Sequence, residues 1–239
     1  NKKNKTMKKI LLSAGMLLFS FTAAFSQSAD EVIGKYIDAI GGKAKWNSLN
    51  SLRVEGQIEV QGVTIPFTMN ALNNKGTRMD AEFQGMKMIE IVTPTAGWAM
   101  NGFQGQSSLQ PMSEEDLKTK ADDLELVDQL IDYATKGHSV ELLGKDEVDG
   151  NEYFKLKLTT KKGNEKVHFI DTKTFLIYKT ETTVKVNGQE VKQEVKLLDY
   201  QTLENGIKMA FKQEVGPMMM VTKKITVNPA IDESMFKGN

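Results

Sequence analysis

Asp149-Gly150-Asn151-Glu152-Tyr153-Phe154-Lys155-Leu156-Lys157-Leu158 is a tight turn that feeds a strand. An Asp-Gly pair takes the left-handed backbone a two-residue hairpin needs. After it, Phe154, Leu156 and Leu158 alternate with Lys155 and Lys157, so one face is apolar and the other wet. The same grammar runs from Ser139 to Val227, with further turns at Asn187-Gly188, Asn205-Gly206 and Gly216-Pro217. Ile207, Met209 and Phe211 repeat the pattern, with Lys208 and Lys212 assigned to the wet face.

Upstream, Leu52, Val54, Ile58 and Val60 alternate with Arg53, Glu55, Gln57 and Glu59. Gln61-Gly62 turns into a strand over Val63 to Leu72, and Thr77 to Phe83 sets Met79, Ala81 and Phe83 on one side. Met86 to Val92 reads as a strand buried on both faces, and a short strand follows with Trp98 and Met100. Two amphipathic helices interrupt this series. Ser28 and Glu31 form a capping box before Val32, Ile33, Tyr36, Ile37 and Ile40, and Gly41-Gly42 ends that helix. Ser113 with Glu114, Glu115 and Asp116 starts a second helix, predicted to run to Lys136-Gly137 with a stripe of Leu117, Ala121, Leu124, Val127, Leu130, Ile131 and Ala134.

The predicted fold is therefore mainly β with some α: a strongly curved antiparallel sheet of about 11–13 strands forming an unclosed barrel, its concave face covered by the helices. A two-sheet sandwich is the competing architecture. The one-striped helices favour the curved sheet, because such a helix lies on a surface and is not buried all round.

At the N-terminus, Lys8 and Lys9 precede an apolar run from Ile10 to Phe25 that ends in small residues around Ala24 and Ser26. This is the pattern of an export signal cleaved after Ser26, with the residues before Met7 read as upstream sequence. A retained anchor is disfavoured because the run is short for a spanning helix. Residues 27–239 are expected to form a single domain. Removing residues 1–26 takes away five lysines and no acid, so a chain of formal net charge zero becomes one with five excess acids. That balance argues against a nucleic-acid partner. The absence of cysteine leaves the core without disulfides and offers no thiol for lipidation, so the expected product is soluble.

Catalytic chemistry is sparse. His138 and His168 have no second ligand at metal spacing, and no nucleophile elbow, phosphate loop or zincin motif occurs. Neither an enzyme nor a cofactor or metal is expected. A distant carboxylate pair of glycosidase type stays open in principle, but the apolar strand faces carry few acids. Methionine is the unusual residue: 13 in the chain, several on or near apolar strand faces, including Met69, Met79, Met88, Met100, Met209 and Met218-Met219-Met220. Its flexible, polarizable side chain fills irregular cores and also lines sites for ligands of variable shape. Arg53 and Arg78 are both assigned to solvated strand faces.

Several stretches together resemble the outer-membrane lipoprotein-sorting superfamily of LolA and LolB: Tyr36 to Lys43, Leu49 to Gly56, Asn151 to Leu158, Phe169 to Thr174, Leu198 to Tyr200, Glu204 to Met209, and the closing Val227-Asn228-Pro229 to Phe236. The resemblance implies an unclosed barrel whose lidded apolar face carries lipoprotein acyl chains through the periplasm towards the outer membrane. It also implies an inner-membrane transporter and an outer-membrane receptor as partners, with only transient membrane contact. Carriers of this kind latch the lid with an arginine. Neither arginine here falls on the apolar face, so no latch residue is carried over. The expected cavity lining is Phe67, Met69, Met79, Phe83, Met88, Trp98, Phe154, Leu156, Leu158, Met209 and Phe211. The expected lid residues are Val32, Ile33, Tyr36 and Ile37 on the first helix and Leu124, Val127, Leu130 and Ile131 on the second. A lipid sensor or free-lipid binder of the same fold, an envelope hydrolase and a packed structural protein are the alternatives.

Overall fold

The computed structural model describes residues 27–186 and 189–238; the expected leader and the Asn187-Gly188 turn lie outside the described residues. The chain starts with helix α1 (Ala29–Ala39) and a single turn, α2 (Lys43–Trp46). The meander β1 (Ser51–Val60), β2 (Val63–Leu72), β3 (Gly76–Phe83), β4 (Met86–Val92), β5 (Gly97–Asn101) and β6 (Gln110–Pro111) follows. Helix α3 (Glu114–Lys120) leads into a second meander: β7 (Ser139–Val148), β8 (Asn151–Thr159), β9 (Glu165–Asp171), β10 (Ile177–Val186), β11 (Gln189–Thr202), β12 (Lys208–Val215) and β13 (Met218–Val227).

All strands belong to one 13-stranded sheet in the order β6-β5-β4-β3-β2-β1-β13-β12-β11-β10-β9-β8-β7, and every pairing is antiparallel. The sheet is unclosed, with β6 and β7 as its free edges, and few helices accompany it. Local chemistry accounts for the hairpins. Gln61-Gly62, Gln84-Gly85 and Asp149-Gly150 each place two consecutive residues at positive φ, the geometry whose twist matches the flanking strands. The two meanders are joined where β1 pairs with β13, from Leu52 opposite Val227 to Val60 opposite Met218. Asn228 locks this seam: its Oδ1 accepts from the Asn50 and Ser51 amides, at 2.8 and 3.3 Å, and its own amide donates to the Ser51 carbonyl.

The first helix forms as its capping box dictates, with Ser28 Oγ accepting from the Glu31 amide and Glu31 returning the bond. The second is shorter than its apolar stripe suggests. α3 stops at Lys120, a 3-10 turn covers Ala121–Leu124, and irregular turns follow. Polar side chains in this segment take partners outside a helix: Asp122 accepts from Thr160 and Asn164, Asp128 accepts from the Leu130 amide, and the Leu126 amide donates to Asn73. Asp132 also sits at φ 53. Leu124, Val127, Leu130 and Ile131 are nevertheless all buried.

Two further expectations are corrected. β4 is exposed at Met86 and Lys87 and buried only at its Ile91-Val92 end, because its start is a hairpin tip. Arg78 is no free surface charge. Its guanidinium pairs with Asp80, with Nη2 2.7 Å from the carboxylate, and Nη1 donates to the Met235 carbonyl, which pins the C-terminal 3-10 turn Glu233–Phe236. Nor is the outer face of the second meander wholly wet: Phe169 is buried under the Lys179 ammonium, 4.3 Å from the ring centroid, and Tyr153 stacks on Tyr178.

The seam is tight at Gly56, where the β1 register shifts. A Cβ there would lie 2.5 Å from the Val221 carbonyl oxygen and 2.8 Å from the Phe67 ring. Gly56→Ala should therefore destabilise the fold by about 1–3 kcal/mol in urea denaturation; an unchanged midpoint would show that β13 yields freely at this position.

Candidate functional site: an apolar cavity on the seam of the sheet

Two apolar clusters divide the interior. One joins Val32, Ile33 and Tyr36 of α1 and Val127, Leu130 and Ile131 of the irregular segment to Phe154, Leu156, Leu158, Ile170, Ile177 and Ile207. The other lies under β1 to β3, with Val54, Ile58, Ile65, Phe67 and Ala81 packed against Met69, Met79, Phe83, Met88 and Met220. Between them is a cavity of about 340 Å³. Its walls are Phe67 and Met69 of β2, Leu52 and Val54 of β1, Met220, Thr222 and Ile225 of β13, Leu197 and Tyr200 of β11, and Lys208, Met209, Ala210 and Gln213 of β12. Tyr36, Ile40, Trp46 and Asp128 complete it from the helical side.

Of the residues expected from sequence to line a cavity, Phe67, Met69 and Met209 lie here, together with Tyr36 from the expected lid. Met79, Phe83 and Met88 sit one layer further out, packed on the second cluster. Phe154, Leu156 and Leu158 are at most 3% exposed in the first cluster, so they serve as packed core. Trp98 belongs to neither cluster; its ring lies against Gly238. Phe211 is buried but also lies outside both clusters.

The displacement of Phe211 has an identifiable cause. Leu198 pairs with Lys212 and Tyr200 with Ala210, so the residue between them, Asp199, stands opposite Phe211, and Asp199 has φ 54. A left-handed residue inside a strand breaks its alternation. On β11 the cavity is met by Leu197 and then Tyr200, a step of three; on β12 it is met by Gln213 and then by Ala210, Met209 and Lys208 in succession. Lys208, assigned to the wet face by alternation, is among the residues that line the cavity. Strict period-two counting misses it; the Leu198-Asp199-Tyr200 triplet was the only sequence signal.

The polar groups of the cavity are few. Tyr36 Oη donates to Asp128 Oδ2 at 2.5 Å, and the Leu130 amide donates to Asp128 Oδ1 at 2.9 Å. Tyr200 Oη donates to the Ile177 carbonyl at 2.8 Å. Burial raises the Tyr36 and Tyr200 hydroxyls above their ordinary range, so both remain protonated donors, and burial raises the Asp128 carboxyl against the lowering effect of its hydrogen bonds. Among the described residues the Tyr36–Asp128 bond is one of three polar ties between the N-terminal helices and the irregular segment. Tyr133 donates to Asp30 at 2.6 Å, and Lys43 pairs with Asp132 at 2.6 Å.

A larger cleft of about 1030 Å³ lies between α3, the β10 and β11 strands at Thr183 and Val191 to Glu194, and the Gly216-Pro217 turn, but charged and amide side chains such as Asp116, Lys118, Lys120, Asp123 and Gln193 dominate its lining. Among the described residues no cluster of His, Asp or Glu is arranged for a metal ion. His168 is buried beside Thr180, and burial pulls its pKa down to about 3, so it is neutral. His138 accepts from the Lys161 amide. Neither borders the apolar cavity.

Fold and site together define a class: an unclosed, curled antiparallel sheet with an apolar cavity on its inner side. No family model matches the sequence, and no curated protein matches it. Solved structures do share the fold. A DUF1329 family protein from Desulfovibrio piger is 13% identical, with 87% of this chain and 96% of that chain covered and a TM-score of 0.55. A putative outer membrane lipoprotein-sorting protein domain from Vibrio parahaemolyticus is 12% identical, covering 86% and 94% with a TM-score of 0.52. A LolA superfamily protein from Nitrosomonas europaea is 12% identical, covering 86% and 96% with a TM-score of 0.54. The structural neighbours are thus the lipoprotein-sorting and LolA superfamily folds. No helix among the described residues is long and apolar enough to cross a membrane.

Asp128 makes the site sensitive to pH. A carboxyl whose folded-state pKa is raised contributes stability while protonated and loses that contribution as pH rises through the folded value. Asp128→Asn cannot ionise, so its stability relative to the wild type should increase from about pH 4 to neutrality in urea denaturation. A difference that stays constant with pH would show that the carboxylate is not desolvated.

Proposed function

We propose that this chain is a carrier of acyl chains in the cell envelope, a binding protein and not an enzyme. The observation that supports this most is the apolar cavity, where Phe67, Met69, Met209 and Met220 present adaptable surface beneath Tyr36. Each methylene buried there is worth about 0.8 kcal/mol, so a single chain provides substantial affinity without any covalent chemistry. In this reading α1 and the turns around Val127 to Ile131 form a lid over the concave face. The ties Tyr36–Asp128, Tyr133–Asp30 and Lys43–Asp132 hold the lid together as one body. Cargo enters and leaves when the lid-open population rises.

The cargo is lipid or the acyl chains of a lipoprotein, carried towards the outer membrane and passed between an inner-membrane transporter and an outer-membrane receptor. Residues 1–26 serve as the export signal, residues 27–239 work in the periplasm as one domain, and membrane contact is transient. The likeness to the lipoprotein-sorting domain and the LolA superfamily protein supports the fold on which this reading rests.

Filling the cavity tests the proposal. The double variant Met69→Trp, Met220→Trp should bind a dansyl-labelled fatty acid at least roughly tenfold more weakly than the wild type, a loss of about 1.4 kcal/mol, with unchanged circular dichroism. Wild-type affinity in the filled variant, or no binding by the wild type, would sink the proposal.

A further inference from the structure

Within the reading of the cavity as a lipid site, we infer that it takes one alkyl chain at a time and holds that chain's oxyanion head, carboxylate or phosphate, at Lys208. The size argument is direct. A methylene is close to a water molecule in bulk and fills roughly 30 Å³, so a cavity of about 340 Å³ holds about eleven chain carbons. That is most of one chain and far from three. A cargo with several chains leaves the others outside the cavity.

Charge selects the head. Only two of the residues lining the cavity carry charge, Asp128 and Lys208. Both Asp128 oxygens are engaged, Oδ2 by Tyr36 and Oδ1 by the Leu130 amide. Tyr200 spends its hydroxyl proton on the Ile177 carbonyl. Lys208 has no carboxylate partner among the described residues, in contrast to Lys179 on β10 and Lys196 on β11, which are paired with glutamates. It lines the cavity beside Met209 and Ala210, next to the end of α1, where its amide donates to the Ile40 carbonyl. An ammonium on an apolar wall without a counter-ion is matched by an anionic head above an alkyl tail. Asp128, on the helical side of the same cavity, disfavours an anion beside it, which leaves the Lys208 position for the head.

The test is competition against the dansyl-labelled fatty acid. For straight-chain carboxylates, affinity should climb about fourfold per methylene and level off near ten to twelve carbons. Decanoate and decyl phosphate should each bind at least about tenfold more tightly than decylamine. Lys208→Gln should erase that preference, the ratio of decanoate to decanol affinity falling at least about tenfold, and Lys208→Arg should restore it. The Lys208 amide bond to the Ile40 carbonyl is retained in both variants, so the strand is undisturbed. Comparing decanoate with a lysophosphatidylglycerol of the same chain length tells a free fatty acid from a phospholipid head as the source. Affinity still rising at eighteen carbons, tighter binding of decylamine, or a preference that survives Lys208→Gln each overturns the inference. Tight decanol binding without any preference for oxyanions overturns this inference alone; no binding of any alkyl ligand overturns the lipid reading itself.

Discussion

Everything in the molecule depends on the antiparallel pairing of β1 with β13. These strands are almost at the two ends of the described chain, so their pairing closes a loop of some 170 residues, the most costly contact in chain entropy. Without it the two meanders would be separate sheets with four exposed edges, each a template for aggregation. With it they make one sheet and leave two edges. The cavity lies on this seam: Leu52 and Val54 come from β1 and Met220, Thr222 and Ile225 from β13. Asn228 at φ 52 and the Ser51 hydroxyl bonded to the Pro229 carbonyl hold the end of the seam, so the site is anchored where the sheet is joined.

Around the seam the interior has two characters. The half beneath α1 is sealed, with Leu156, Leu158, Ile170 and Ile207 fully buried among branched and aromatic side chains. The half beneath β1 to β3 is softer, because Met69, Met79, Met88 and Met220 surround a smaller set of buried residues. Packed branched residues resist deformation, whereas methionine changes rotamer at little cost. A cavity placed between a rigid core and a compliant wall keeps its shape on one side and adapts on the other. The helical side is linked to itself by hydrogen bonds, of which the half-buried Tyr36 to Asp128 bond lies inside the cavity and the other two are exposed.

Much of the fold was legible in the sequence, and the reasons are local. Asp-Gly and Gln-Gly pairs force hairpins, Ser28 and Glu31 cap a helix by contacts within four residues, and period-two patterns carry strand after strand. The site was legible only in part. Alternation put Phe67, Met69 and Met209 on a face that borders the cavity, but Phe154, Leu156 and Leu158 follow the same alternation and end in sealed core, because which stretch of an apolar face is packed shut is not a local property. The long second helix failed for a related reason. Its apolar stripe is real and buried, but Asp122 bonds to Asn164, Asp128 to Tyr36 and the Leu126 amide to Asn73, partners distant in sequence that replace helical bonds in this segment.

What the sequence by itself determined was the list of strands, their turns and the apolar sides of most of them, since these follow from backbone sterics and from side chains one or two positions apart. Tertiary structure alone decided which strands meet at the seam and where the cavity lies. It also put Lys208 at the cavity and left Phe211 out of it. Lys208, Met209 and Ala210 border the cavity in succession, on the strand paired with the one that carries the left-handed Asp199, so alternation along β12 alone does not reveal which of its residues meet the cavity.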